Sequence, residues 1–169
     1  MAQTQNLNQF GMAALKGEVA AMPNPVTLSV QVDPASVATI IAGDAVKLMS
    51  GVAGKQIIVD KCAATDITFG FVIRNQKKDA WTASQSLEIA LPNSIIVLES
   101  YAAINRGQQV EFYPTGSKVK AAAGVNPVCG TCLDQIGGAN TLGRIMVRTV
   151  AEYSSSSSCS SSSSSSKLA

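Results

Sequence analysis

The chain has 169 residues, of which 46% are apolar and only 14% charged, against about 25% charged in an average soluble domain. Lys+Arg 13 against Asp+Glu 11 leaves a net charge of +2, too even for the basic face of a nucleic-acid binder. No apolar run approaches the roughly 18 residues that span a bilayer. With no histidine in the sequence, a His-based triad, His-ligated zinc and imidazole acid–base catalysis are excluded.

The first 25 residues lack both a basic segment and a sustained apolar segment, so no secretory signal is expected and synthesis in the cytosol is. They carry apolar side chains at Phe10, Met12, Leu15 and Met22 with no domain of their own in which to bury them. An arm of this kind binds a neighbour by laying a strand or short helix on it, and a short helical turn at residues 8–15 fits the spacing. The opposing reading is a frayed terminus.

Residues 26–150 form the body, and strict apolar/polar alternation marks its strands. In 26–32 Val26, Leu28, Val30 and Val32 oppose Thr27, Ser29 and Gln31. In 67–74 one face is Ile67, Phe69, Phe71 and Ile73. Val110 and Phe112 oppose Gln109 and Glu111, and Ile145 and Val147 alternate with Arg144, Met146 and Arg148. Shorter strands are expected at 45–49, 55–61, 86–91, 95–100, 118–122 and 129–133, with Gly, Pro, Asn and Asp between them. About ten short strands and almost no helical periodicity give an all-β barrel or sandwich.

An internal repeat runs through this body. Ala38–Val46, with Gly43-Asp44-Ala45-Val46, matches Ala102–Val110, with Gly107-Gln108-Gln109-Val110. Lys61 then matches Lys120, Phe69–Val72 matches Cys129–Cys132, and Leu87–Ile89 matches Ile145–Val147. The slowly shrinking offset is what loops of different length produce, and two similar halves packed together are expected.

Cys62, Cys129, Cys132 and Cys159 are irregularly spaced, which favours reduced thiols over a disulfide framework. Cys129-Gly130-Thr131-Cys132 has the spacing of a redox pair or half a zinc site. In a strand, however, residues three apart face opposite sides, and with no histidine the four ligands of a zinc site are hard to assemble. Buried strand cysteines are the expectation. The scattered acids include no pair that spacing forces together, and no Gly-rich loop opens a helix, so no catalytic residue, cofactor or metal is expected. The loop Arg74–Trp81, with Lys77 and Lys78 beside the only tryptophan, is a candidate interface anchor or an ordinary hairpin whose Trp81 folds back over the barrel end. Residues 151–169 include a serine tract broken by Cys159. It cannot bury apolar area and is expected to be disordered, whether as a native linker or as a vector-derived tail.

The order of Gly43-Asp44-Ala45-Val46, Phe69–Val72, Ile104–Val110, Gly130–Asp134 and Gly143–Arg148 resembles the capsid cement, or decoration, proteins of tailed bacteriophages over residues 26–150. Cys132 stands where a small residue such as Ala is usual, and Asp134 where Glu is common. The resemblance implies a β-barrel protein on the outer surface of the virion. It further implies a homotrimer, bridging neighbouring major capsid protein subunits against the pressure of packaged DNA, with no catalysis and no nucleic-acid or membrane partner. The competing expectation is a head-fibre base or a glycan-binding surface module, for which Trp81 would be the stacking platform.

Overall fold

The computed structural model describes residues 15–20, 25–49 and 56–148. Phe10, Met12, Met22, the expected helical turn up to Ala14 and the serine tract lie outside the described residues. Within them the chain is all β. The strands in order are β1 (Thr27–Val32), β2 (Ile40–Ile41), β3 (Ala45–Leu48), β4 (Ile58–Lys61), β5 (Gly70–Val72), β6 (Ala80–Trp81), β7 (Ser86–Ala90), β8 (Ile95–Glu99), β9 (Gln109–Tyr113), β10 (Lys118–Ala121), β11 (Val128–Cys132) and β12 (Leu142–Val147).

Two five-stranded units account for ten of these. The first closes on itself in the order β1-β4-β3-β5-β7, with β7 returning to β1. The second runs β10-β9-β11-β12-β8, which is the same circuit: β8 stands for β1, β9 for β3, β10 for β4, β11 for β5 and β12 for β7. The registers coincide residue by residue. Val46 pairs with Gly70 and Val110 with Gly130. Val72 pairs with Ile89 and Cys132 with Ile145. Leu28 pairs with Ile89 and Ile96 with Ile145. The parallel Val32–Val59 pair that closes the first barrel recurs as the parallel bridge Ser100–Val119 in the second. Even the turns match. Gly43 and Gly107 both sit at positive φ (84° and 82°), where a Cβ would be strained. Gly43 N–H donates to Val72 O at 2.8 Å and Gly107 N–H to Cys132 O at 2.7 Å.

The internal repeat is therefore real, with two corrections of register. The true counterpart of Ile89 is Ile145, not Val147, and that of Lys120 is Asp60, not Lys61. The sequence also matches no partner to β1, because β8 is apolar almost throughout where β1 alternates. Both faces of β8 are covered, so nothing selects polar residues at alternate positions.

Two cores follow from the pleat. Val30, Val32, Ile40, Val46, Val59, Val72, Trp81, Leu87 and Ile89 fill the first barrel. Their neighbours Ala45, Phe71 and Ala90 point outward, yet are buried, because they pack with Cys62 against the second unit. Phe71 meets Phe112 edge-on at 6.3 Å between ring centroids, a favoured aromatic geometry. The expected strand at 67–74 shrinks to 70–72 for a local reason. Asp66 folds the chain into a turn, its N–H donating to Ala63 O and its carboxylate accepting from Ala63 N–H and Lys47 Nζ. That turn leaves Ile67 exposed.

Candidate interaction surface

The first feature is the arm. Residues 15–20 lie along the edge of β8, with Val19 bridging Ile96. Gly17 N–H donates to Val97 O (2.8 Å), Val97 N–H to Glu18 O (2.8 Å) and Ala20 N–H to Ile95 O (2.9 Å), while Arg74 N–H donates to Gly17 O (2.8 Å). Gly17 thus joins the two halves, and only glycine fits: φ is +80° and a Cβ would stand 2.9 Å from Ala42 Cβ. Lys16 reaches Gly116 O at 2.9 Å, and burial lowers its pKa, against the pull of Asp44. Residues 15–20 of the expected arm are thus docked on the body. Of its four expected anchors Leu15 alone is described, half-exposed at the end of this docked segment.

The second feature is the loop between β5 and β6. It carries Arg74, Lys77 and Lys78, but Trp81 is not on its surface. Trp81 is only 3% exposed, pairs with Ile40 and belongs to the first core. This corrects both the interface and the sugar-platform expectation and agrees with the folded-back hairpin. Arg74 is tied to Asp79 (2.9 Å) and to Lys16 O (3.3 Å), and Lys78 to Gln85 (2.6 Å). Lys77 remains exposed.

Beside this loop is a cavity of about 350 Å³ lined by Ser29, Ile73, Arg74, Trp81, Ser86 and Glu88, among others. Glu88 is exposed, and among the described residues its carboxylate has no ion-pair partner. At one of its ends each barrel also shows apolar side chains from matching loops. Val37 and Ile67 follow the parallel strands β1 and β4, and Tyr101 and Val125 follow β8 and β10. All four are exposed. Tyr101 leans on Tyr113 at 4.3 Å between centroids, with Lys120 Nζ 5.5 Å from the Tyr113 ring centre. It is the exposed aromatic that composition alone assigns to Trp81.

No known protein-family profile matches this chain, and no curated protein matches it. A solved structure does, the N base of the head fibre protein gp8.5 of bacteriophage phi29. The two share a fold. The TM-score is 0.52 at 10% identity, and the match covers 74% of this chain and 95% of that one.

The remaining chemistry-bearing groups are structural. Glu111, fully buried, meets Lys120 at 2.9 Å and Asn126 at 2.9 Å. Burial works against its ionisation, but the bonds from Lys120, Asn126 and Ala123 N–H outweigh it and hold its carboxyl below the usual range. Arg144 grips Asp134 at 2.6 Å, and that bond keeps the Asp134 carboxyl low.

Cys129 and Cys132 are both fully buried although they lie three apart on β11. A β-bulge between Val128 and Gly130 makes this possible, because the extra residue resets which side faces inward. Their sulfurs approach different carbonyls, Val110 O at 3.4 Å and Asp134 O at 3.2 Å. Burial raises all three described thiol pKa values, that of Cys62 to about 12. Only the thiolate attacks. A Cys159→Ser variant is therefore expected to show no thiol reacting with Ellman's reagent at pH 8 while folded, and three in guanidinium chloride. One fast-reacting thiol in the folded protein would contradict the inert reading.

Proposed function

We propose that this protein is a structural component of a bacteriophage head. It sits on the outer surface of the shell and works by adhesion, as a homotrimer that bridges neighbouring major capsid protein subunits. The observation that carries the reading is the fold shared with the phi29 head-fibre base over nearly all of that chain. The surface fits the role. The exposed apolar tips Val37, Ile67, Tyr101 and Val125 provide separate points of contact from two barrels that share a buried cluster. Modest contacts repeated on a fixed lattice add through avidity, and closed symmetry repeats them on each subunit. No step of this role needs a reacting side chain, so the protein is read as a non-enzyme without a cofactor, and neither nucleic acid nor membrane is a partner.

A second reading, the base of a head fibre, has the same observation in its favour, since the matched structure is itself such a base. The two differ in what binding does to the shell. Purified protein would be sedimented with stripped heads of the phage that encodes it, and heat-induced DNA release followed with a dye. Bridging predicts that saturated heads release DNA at a higher temperature. Binding without that gain selects the fibre base, and no binding sinks both. Deleting residues 1–14 keeps Gly17–Ala20 on β8. This variant is expected to melt like the full chain and to bind heads about tenfold more weakly, the loss of one modest apolar contact. Full-strength binding would refute a role for the arm.

A further inference from the structure

Three side chains that suit one covalent reaction meet in the second unit. Glu111 lies on β9 with its carboxylate completely buried. Lys120 pairs with it across the ladder to β10, and Lys120 Nζ stands 2.9 Å from Glu111 Oε1. Asn126, in the loop between β10 and β11, donates Nδ2–H to that same oxygen, also at 2.9 Å. An amine and a carboxamide are therefore held against one carboxylate oxygen. Ala123 N–H fixes the other oxygen at 3.3 Å. The Tyr113 ring, with Tyr101 leaning on it, covers one side of the amine, its centre 5.5 Å from Nζ.

The repeat shows that this corner does not need such a set. In the first barrel Lys47, Asp60 and Asp66 stand in the places of Glu111, Lys120 and Asn126. There Lys47 meets Asp66 at 2.9 Å, both side chains partly in water, and Asp60 turns to Ser36 Oγ. A plain ion pair holds the corner and no amide is present. The second barrel instead places a buried acid between an amine and an amide. Pro127 follows Asn126 and has no N–H. The backbone attack that ordinarily deamidates asparagine is therefore blocked, and the amide is kept for another nucleophile.

We propose that Lys120 and Asn126 become joined by an isopeptide bond, with Glu111 as the proton carrier. Glu111 takes a proton from the Lys120 ammonium, and the freed amine attacks Asn126 Cγ. As the new C–N bond forms, Glu111 returns that proton to Nδ2, and the Cγ–Nδ2 bond breaks. The attacking nitrogen gives up a second proton through Glu111, and ammonia carries it away as ammonium. A secondary amide remains, Glu111 ends as it began, and no oxidant, reductant or cofactor takes part. The ion pair opposes the first step, since Glu111 raises the Lys120 pKa. Loss of ammonia is irreversible, however, and each molecule reacts once, so a small fraction of free amine suffices. One self-modification without turnover agrees with a non-enzyme, and it does not depend on the virion reading. Its effect is to tie down the loop that carries the exposed tip Val125, so that less order has to be imposed when the tip binds.

Mass spectrometry of the folded full-length protein, incubated at pH 9, tests this. Wild type is expected to lose about 17 Da, one ammonia, and to yield after trypsin a branched peptide joining Lys120 to Asn126. Lys120→Arg and Asn126→Ala, both at partly exposed positions, are expected to fold and to keep their full mass. Glu111→Gln is expected to react about 100-fold more slowly, the lower end of the usual effect of a positioned proton carrier. The wild-type rate is expected to rise with pH as more of the amine is free. Circular dichroism checks that each variant is folded. Folded wild type that keeps its full mass would overturn the proposal. So would an ammonia loss that the peptides place anywhere else, or one whose rate is the same in folded Glu111→Gln.

Discussion

Gly130→Ala is expected to lower the free energy of unfolding by about 3 kcal/mol, the upper part of the range for forcing a methyl group into a filled core. A Cβ at this position would stand 2.6 Å from Ile145 Cγ2 and 2.7 Å from Met146 O. The second contact decides the magnitude, because a carbonyl in the β11–β12 ladder cannot move without breaking the pairing that it serves. The same crossing occurs in the first barrel, where a Cβ on Gly70 would stand 2.8 Å from Ala90 O. Ala90 and Met146 are equivalent in the repeat, so glycine is required twice for one reason: the strand after it passes directly over its Cα. Gly143 is the control. Its added methyl would press on the end of the Ile136 side chain, which can turn away, so Gly143→Ala is expected to cost less. Urea unfolding of the two variants checks the order, and a Gly130→Ala protein as stable as wild type would mean that the ladder gives way at little cost.

These glycines also show what the sequence makes legible and why. Alternation reveals strands wherever one face meets a core and the other water, as in β1, β7 and β12. It is silent for β2 and β6, since two residues cannot alternate, and for Lys16–Ala20, whose docking is carried by backbone hydrogen bonds that no side-chain pattern encodes. The repeat is readable around Gly43 and Gly107 because a left-handed turn leaves few choices of residue. It blurs at β7 and β12, where apolar residues two apart fit either register equally well. That two-residue slip hides a correspondence: in the true register Glu88 falls on Arg144 and Arg74 on Asp134, the same two positions with the signs reversed. Composition names Trp81 as the surface aromatic because it counts residues and not depth. The burial of Trp81 follows from its pairing with Ile40, whose counterpart in the second barrel, Ile104, is equally buried. The inert cysteines are visible from the absence of further ligands, whereas the bulge that buries both is a backbone feature without a residue signature at Cys129-Gly130.

The repeat supports a last expectation, in which two substitutions harm the protein less than one. Asp44 is completely buried, and one carboxylate oxygen takes both Ile41 N–H (2.8 Å) and Lys61 Nζ (2.9 Å). The other oxygen has no partner among the described residues. Lys61→Ala leaves that charge buried with a single hydrogen bond. Removing one member of a buried pair costs 3–5 kcal/mol. Because the Lys61 side chain is 26% exposed, about 3 kcal/mol is expected. The second barrel holds the same turn without the buried ion pair. Gln108 stands in the place of Asp44, its Oε1 accepting Asn105 N–H at 3.1 Å, and Ala121 stands in the place of Lys61. Copying that arrangement with Asp44→Gln and Lys61→Ala keeps the bond that closes the turn and removes the stranded ion, so the double variant is expected to recover at least half of the loss. Urea unfolding of the two single variants and the double variant measures the coupling directly. A double variant less stable than Lys61→Ala would show that the carboxylate contributes to the turn beyond its charge, and that the two halves, alike in backbone, hold this corner by different means.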